Sequence, residues 1–251
     1  MSGKKIRFLV LFLISSLSFF KSSAQLVLPS KYEVGVNVGI YVYQGDLVPS
    51  ILGSFRTARP GVGIYLGRTI SPSFSAGIAF NIASLKGDDA LYDKPEFRKY
   101  RAFKFKSSLK ELSLQAKYNL TGLFGYEPRL QPYIFAGIGV AVINTSADYS
   151  RLDRNFFSET SSTVIGLATD INKPAKKTKP VVPIGIGFRY NLSPDFTLNM
   201  ETAYRLTNTD YIDGFSMSAN PGLNDHYLSQ TVGVSYKFGR KSKYDCPVVK
   251  L

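Results

Sequence analysis

Two side chains in the sequence could carry covalent or acid–base chemistry, and each is the only one of its kind: His226 and Cys246. A Ser/His centre needs a hydroxyl held beside the imidazole. The residue two after His226 is Leu228, so a His-x-Ser pair is not formed. His226 is read as incidental, and the protein as a non-enzyme. No His/Cys/carboxylate set has metal-ligand spacing. The glycines recur with period two, which is not the pattern of a phosphate-cradling loop. No metal or cofactor is expected. Gly87-Asp88-Asp89 and Asp210 to Asp213 put acids in loops where a divalent cation could sit. Neither has calcium-loop spacing, so solvated loop acids are expected there.

Two basic runs could bind anions. RKYRAFKFK holds Arg98, Lys99, Arg101 and Lys104 among aromatics, and KPAKKTK spans Lys173 to Lys179. The first reads equally as a contact for lipopolysaccharide phosphates or as solvated loop charge, and the second as solvated charge. A separate set of charges is Glu33, Glu111, Lys117, Arg189, Glu201, Arg205 and Lys237, each on the polar side of an alternating stretch.

Those stretches are the elements that must position everything else. Tyr32, Val34, Val36, Val38, Ile40 and Val42 occupy alternate positions, with Glu33, Gly35, Asn37, Gly39 and Tyr41 between them. Side chains on a strand alternate faces, so one face is apolar and the other small or polar. About eleven tilted residues suffice to cross a bilayer as a strand. Seven more stretches repeat the pattern, centred on 62–67, 74–83, 111–120, 134–142, 182–191, 196–205 and 228–238. The connections alternate long, short, long, medium, long, short, long, as in outer-membrane barrels with short periplasmic turns and longer outer loops. Long polar loops are expected over about 85–105, 144–179 and 207–225.

The start of the chain agrees. Lys4, Lys5 and Arg7 precede the apolar run Phe8 to Phe20, and Ser22-Ser23-Ala24 supplies small residues before Gln25. This is the pattern of a secretory signal peptide over 1–24; thirteen apolar residues fall short of the roughly twenty a membrane helix needs. Its removal takes four cations and no acid, lowering the net charge from +13 to +9. A basic excess can mean nucleic acid, but export argues against it. Anionic lipid, lipopolysaccharide or an acidic protein partner is expected instead. The fold expected is all-β: an eight-stranded antiparallel up-and-down transmembrane barrel over 25–238, monomeric, with a tail over 239–251 in the periplasm.

Alternation alone does not say which face meets lipid. Charges interleaved with glycine suit the narrow interior of an eight-strand barrel, which side chains just fill. The inward charges are therefore expected to form a salt-bridged plug, with Glu33 and Lys237 within ion-pair or water-bridged reach across the β1–β8 seam. Tyr32, Phe74, Tyr118, Tyr190, Phe196, Tyr236 and Phe238 fall at one level of the apolar face, an aromatic girdle.

Cys246 lies past the last strand. An odd Cys in an exported protein suggests intermolecular pairing or a reactive thiol, and the periplasm would preserve a disulfide; an unpaired Cys in a disordered tail is the equal alternative. Three stretches, KYEVGVNVGIYVYQGDL, FKSSLKELSLQAKYNL and the terminal KYDCPVV, resemble the PorG-like outer-membrane barrels of Bacteroidetes. The resemblance implies an outer-membrane component of the type IX secretion machinery that associates with a periplasmic ring containing a lipoprotein. It makes Lys243, Tyr244, Asp245, Cys246 and Pro247 the implied docking segment, with Cys246 a candidate covalent link. The alternative is an OmpA/OmpX-like surface protein serving envelope integrity or adhesion through its outer loops.

Overall fold

The computed structural model describes residues 32–50, 53–122, 128–172 and 177–239. The expected signal peptide and the segment Lys243 to Pro247, with Cys246, lie outside the described residues. Eight strands close into one antiparallel barrel, each hydrogen-bonded to its neighbours in chain order: β1 (Tyr32–Gln44), β2 (Arg59–Thr69), β3 (Phe74–Asp88), β4 (Lys104–Asn119), β5 (Leu130–Asp148), β6 (Thr178–Asn191), β7 (Phe196–Thr207) and β8 (His226–Phe238). The seam is β1 against β8, in register from Tyr32↔Phe238 to Gln44↔His226.

The outward face of the lower barrel is apolar and open. Val34, Val36, Val38, Ile64, Leu66, Ile78, Leu114, Ile138, Ile186 and Val234 are all exposed. Such a surface is far larger than a water-soluble protein presents. The ten steps from Tyr32 to Val42 rise about 25 Å at ordinary strand tilt, the height of a lipid-facing belt. At its lower edge the seven girdle aromatics are all exposed. Tyr32 stacks on Phe238, with centroids 5.7 Å apart, and Phe196 lies 5.2 Å from Tyr236. The barrel is thus built to span a membrane. Glycines on the inward face let backbones and rings approach: a Cβ at Gly39 would overlap the Gln230 carbonyl, and one at Gly187 would overlap the Tyr133 ring.

Two expectations are corrected. β3 continues to Asp88 and β4 starts at Lys104, so both ends of the 85–105 region are strand; 89–103 connects them, through a 3₁₀ turn (Asp89–Leu91) and a short helix α1 (Phe97–Arg101). Likewise β5 runs on to Asp148, and the next connection carries the helix α2 (Ser162–Asn172). The reason is a change of pattern above the belt. There the inward positions become apolar (Leu85, Phe105, Leu109, Ile143) and are buried, while the outward positions become polar (Ser84, Lys86, Lys106, Ser108). The same strands are inside-out in the membrane and right-side-out above it.

Candidate functional site: interior plug and outer cap

The inward charges lie on strands whose alternation fixes their direction, and the barrel brings them together. Lys117 Nζ is 2.6 Å from Glu201 Oε1, Arg189 Nη2 is 3.0 Å from Glu33 Oε2, and Arg205 Nε is 3.3 Å from Glu111 Oε2. Phenols and an amide complete the shells. Tyr133 donates to Glu201 at 2.5 Å, Tyr227 to Glu111 at 2.7 Å, and Asn81 to the other Glu111 oxygen at 3.2 Å. The Lys117 ammonium also sits 4.0 Å from the Tyr65 ring centroid. Ions removed from water this way need close partners and filled lone pairs. The residual polar cavity, lined by Glu33, Lys117 and Glu201 among others, is about 40 Å³, enough for a few waters and not for a pore.

Glu33 and Lys237 are direct cross-strand partners, as the seam register required. The carboxylate, however, takes its ion pair from Arg189 across the interior, and Lys237 Nζ donates to Asn191 Oδ1 at 3.1 Å. The Arg189 guanidinium is planar and offers several donors in a fixed fork, so it holds the carboxylate in a set orientation that a lysine ammonium does not impose.

Above the plug, the connections fold into a compact cap with its own core. Tyr41, Tyr43, Leu47, Leu85, Phe103, Phe105, Leu109, Ile212, Phe215 and Tyr227 are fully buried in it, and Phe103 stacks on Phe215 at 4.3 Å. Alternation could not reveal this core, because Leu47, Phe103, Ile212 and Phe215 come from the connections.

Polar anchors tie the cap together. The buried Asp89 carboxylate receives Arg98 Nη1 at 2.7 Å and Arg101 Nε at 2.6 Å, and Arg101 also donates to the Asp46 carbonyl at 3.1 Å. This corrects two readings at once. Asp89 is not a solvated acid, and Arg98 and Arg101 do not face lipopolysaccharide: they cross-link the cap from within. Asp88 accepts from the Ala90 amide and pairs with Arg151 at 2.9 Å. Lys99 pairs with Asp93 on the surface, while Lys104 stands on the outer face of β4. Asp170 of α2 went unnoticed in the sequence. Its carboxylate accepts the Ser216, Met217 and Ser218 amides at 3.0–3.1 Å, the Ser218 hydroxyl at 2.6 Å and the Tyr211 hydroxyl at 3.1 Å. It fastens the β7–β8 connection to the β5–β6 connection.

Asp213, also expected as solvated, and Asp225 are buried on either side of the Tyr43 hydroxyl, at 2.7 and 2.6 Å. Burial, and then mutual repulsion with Asp225, push the Asp213 carboxyl well above the usual range; burial does the same for Asp225. His226 Nδ1 accepts from the Thr207 amide at 3.2 Å, and the ring packs edge-on to Tyr204. It lines an outer cleft of about 680 Å³ with Asp46, Phe97, Leu223 and Asn224. Burial pushes Asp46 up to about 6. These features make a closed barrel with a structured outer surface. Nothing among the described residues pairs His226 with a nucleophile.

A family model described as "Domain of unknown function (DUF6089)" matches residues 4–247. No curated protein matches the sequence. Solved structures resemble the fold. Neisserial surface protein A (NspA) is 15% identical, with a TM-score of 0.48 over 82% of this chain and 97% of that one. Ail, the attachment invasion locus protein of Yersinia pestis, is 9% identical with a TM-score of 0.41 over 84% and 100%. The outer membrane enzyme PagL is 11% identical with a TM-score of 0.33 over 81% and 97%. What those proteins bind or catalyse is theirs alone.

Proposed function

The chain belongs to the DUF6089 family, and on that premise we propose that it is a non-catalytic outer-membrane barrel that anchors a periplasmic assembly, the ring of the type IX protein secretion system. The observation that carries the reading is that the barrel is filled twice over, by the Glu33–Arg189, Lys117–Glu201 and Glu111–Arg205 pairs below and by the cap core above. A filled barrel works through what hangs from its ends. The resemblance of KYEVGVNVGIYVYQGDL, FKSSLKELSLQAKYNL and KYDCPVV to PorG-like barrels supports the periplasmic end and the ring lipoprotein as partner. Deleting residues 240–251 tests it. The ring should lose its hold on the outer membrane and secretion should fall; unchanged secretion and unchanged co-fractionation would defeat the proposal. In non-reducing electrophoresis, a higher-mass adduct that disappears in Cys246→Ser would identify the link as covalent.

A second reading is favoured by one observation, the built outer cap. An OmpA/OmpX-like surface protein would use the cleft between Asp46, Phe97 and His226. A tail deletion without effect, joined to an envelope or adhesion defect on disrupting the cap, would select this reading.

A further inference from the structure

Above the membrane belt, the outward faces of β3, β4 and β5 form a regular grid. Reading across the three strands, the rows are Ile82–Lys110–Val142, Ser84–Ser108–Asn144, Lys86–Lys106–Ser146 and Asp88–Lys104–Asp148. The first row closes the apolar belt, and the next two carry only lysines, hydroxyls and an amide. Lys110 stands about 20 Å above the Tyr118 girdle level and Lys106 about 30 Å above it, at ordinary strand rise and tilt. The belt is about 25 Å tall, so these ammonium groups straddle the layer where lipid headgroups begin.

The grid holds an electrostatic anomaly. Lys86 and Lys106 are directly opposite each other on one face. Like charges so placed on a sheet repel and destabilise it. Lys104 has Asp148 opposite it. Among the described residues, no carboxylate lies within ion-pairing distance of Lys86, Lys106 or Lys110. Three ammonium groups, with Ser108 and Asn144 between them, therefore face the headgroup layer unneutralised. The group that would remove the repulsion is a dianionic oxyanion that accepts several hydrogen bonds at once.

We propose that this face binds the phosphate of a phosphorylated outer-leaflet glycolipid through Lys86, Lys106 and Lys110, with Ser108 and Asn144 as neutral donors. The site rests on the reading that the long connections face outward across an outer membrane. It differs from the basic run of the β3–β4 connection, whose arginines are turned inward onto Asp89. The lipid is held from the side of the barrel, with its acyl chains beside the upper belt.

The test uses the full-length folded barrel in detergent micelles, read by native mass spectrometry. It is titrated with bisphosphorylated lipid A, with the same lipid after phosphatase treatment, and with inorganic phosphate. Phosphorylated lipid A should be retained, and the K86Q/K106Q/K110Q variant should bind it roughly tenfold more weakly or worse, as loss of charge-assisted hydrogen bonds implies. The K86R/K106R/K110R variant should restore retention, and Lys104→Gln should leave it unchanged. Heat-modifiable electrophoretic mobility confirms that each variant is folded. Equal retention by the glutamine variant, equal retention of dephosphorylated lipid, or equally tight binding of inorganic phosphate would overturn the proposal. A barrel that fails to fractionate with the outer membrane would overturn the membrane reading itself, whatever the lipid titration gives.

Discussion

Asp213 and Asp225, on the connection before β8, share one phenol: their carboxyl oxygens stand 2.7 and 2.6 Å from the Tyr43 hydroxyl. A phenol has a single proton to donate. One of the two carboxyls must therefore hold a proton and donate it back. The rest of each group is tied down, Asp225 by the Ile212 amide at 2.9 Å and Asp213 by the Phe215 amide at 2.8 Å.

The cap should consequently loosen as pH rises. Both folded-state values are raised above the unfolded one, which is about 3.9. Their stabilising proton is fully present below that value and is lost as pH climbs through the folded values. Asp46, pushed up to about 6, adds to the same trend between its unfolded value and about 6. Hydrogen-exchange protection of the Ile212 and Phe215 amides, corrected for intrinsic exchange, should fall as pH rises above the unfolded carboxyl value and through the raised folded values. Asp213→Asn should flatten the dependence. Protection that rises with pH would contradict the shared proton.

Breaking the plug from one side should cost more than removing a pair. Glu111→Ala leaves Arg205 buried without its carboxylate and should destabilise the barrel by about 3–5 kcal/mol. Adding Arg205→Met should recover part of that loss, so that the double variant is less destabilised than the sum of the singles. Denaturant titration of the folded barrel in lipid measures both, and simple additivity would show that the pair is not coupled.

The two kinds of cation on the β3–β4 connection should separate cleanly. Asp89→Ala strands two buried guanidiniums and should open the connection to protease. Lys99→Ala removes only an exposed pair with Asp93 and should leave the protease resistance of the connection unchanged. Equal protease sensitivity in the two variants would refute the cross-linking role.

Asp170→Ala removes one acceptor from five donors. Three are buried or half-buried backbone amides left without it, so the β7–β8 connection should detach from α2 while the barrel stays folded. Faster exchange confined to residues 211–218 is the expected outcome, and unchanged exchange there would discount the anchor.

The legible part of this molecule was the part with a constant period. Val34 to Ile40 and their counterparts alternate strictly, so strand number, seam register and the Tyr32–Phe238 girdle level follow from spacing. Ends of strands were lost where the apolar set changes sides. Leu112 and Leu114 face lipid, whereas Phe105 and Leu109 on the same strand face the cap core, and an alternation that switches parity looks like its own absence. The anchors Asp89 and Asp170 were hidden for another reason. Their partners lie 9–12 and 41–48 residues away, in segments whose composition reads as loop. An Arg98 buried against a carboxylate and an Arg98 waiting for a phosphate are the same letter in the sequence.

Ion conductance of the folded barrel in a planar lipid bilayer tests most directly the claim that both halves of the interior are filled and that function sits at the ends. The wild-type protein should insert without steady unitary current, because the ion pairs around Glu33, Glu111 and Glu201 narrow the polar cavity between them, among the described residues, to about 40 Å³. Stable ohmic steps from the intact wild-type barrel would contradict it.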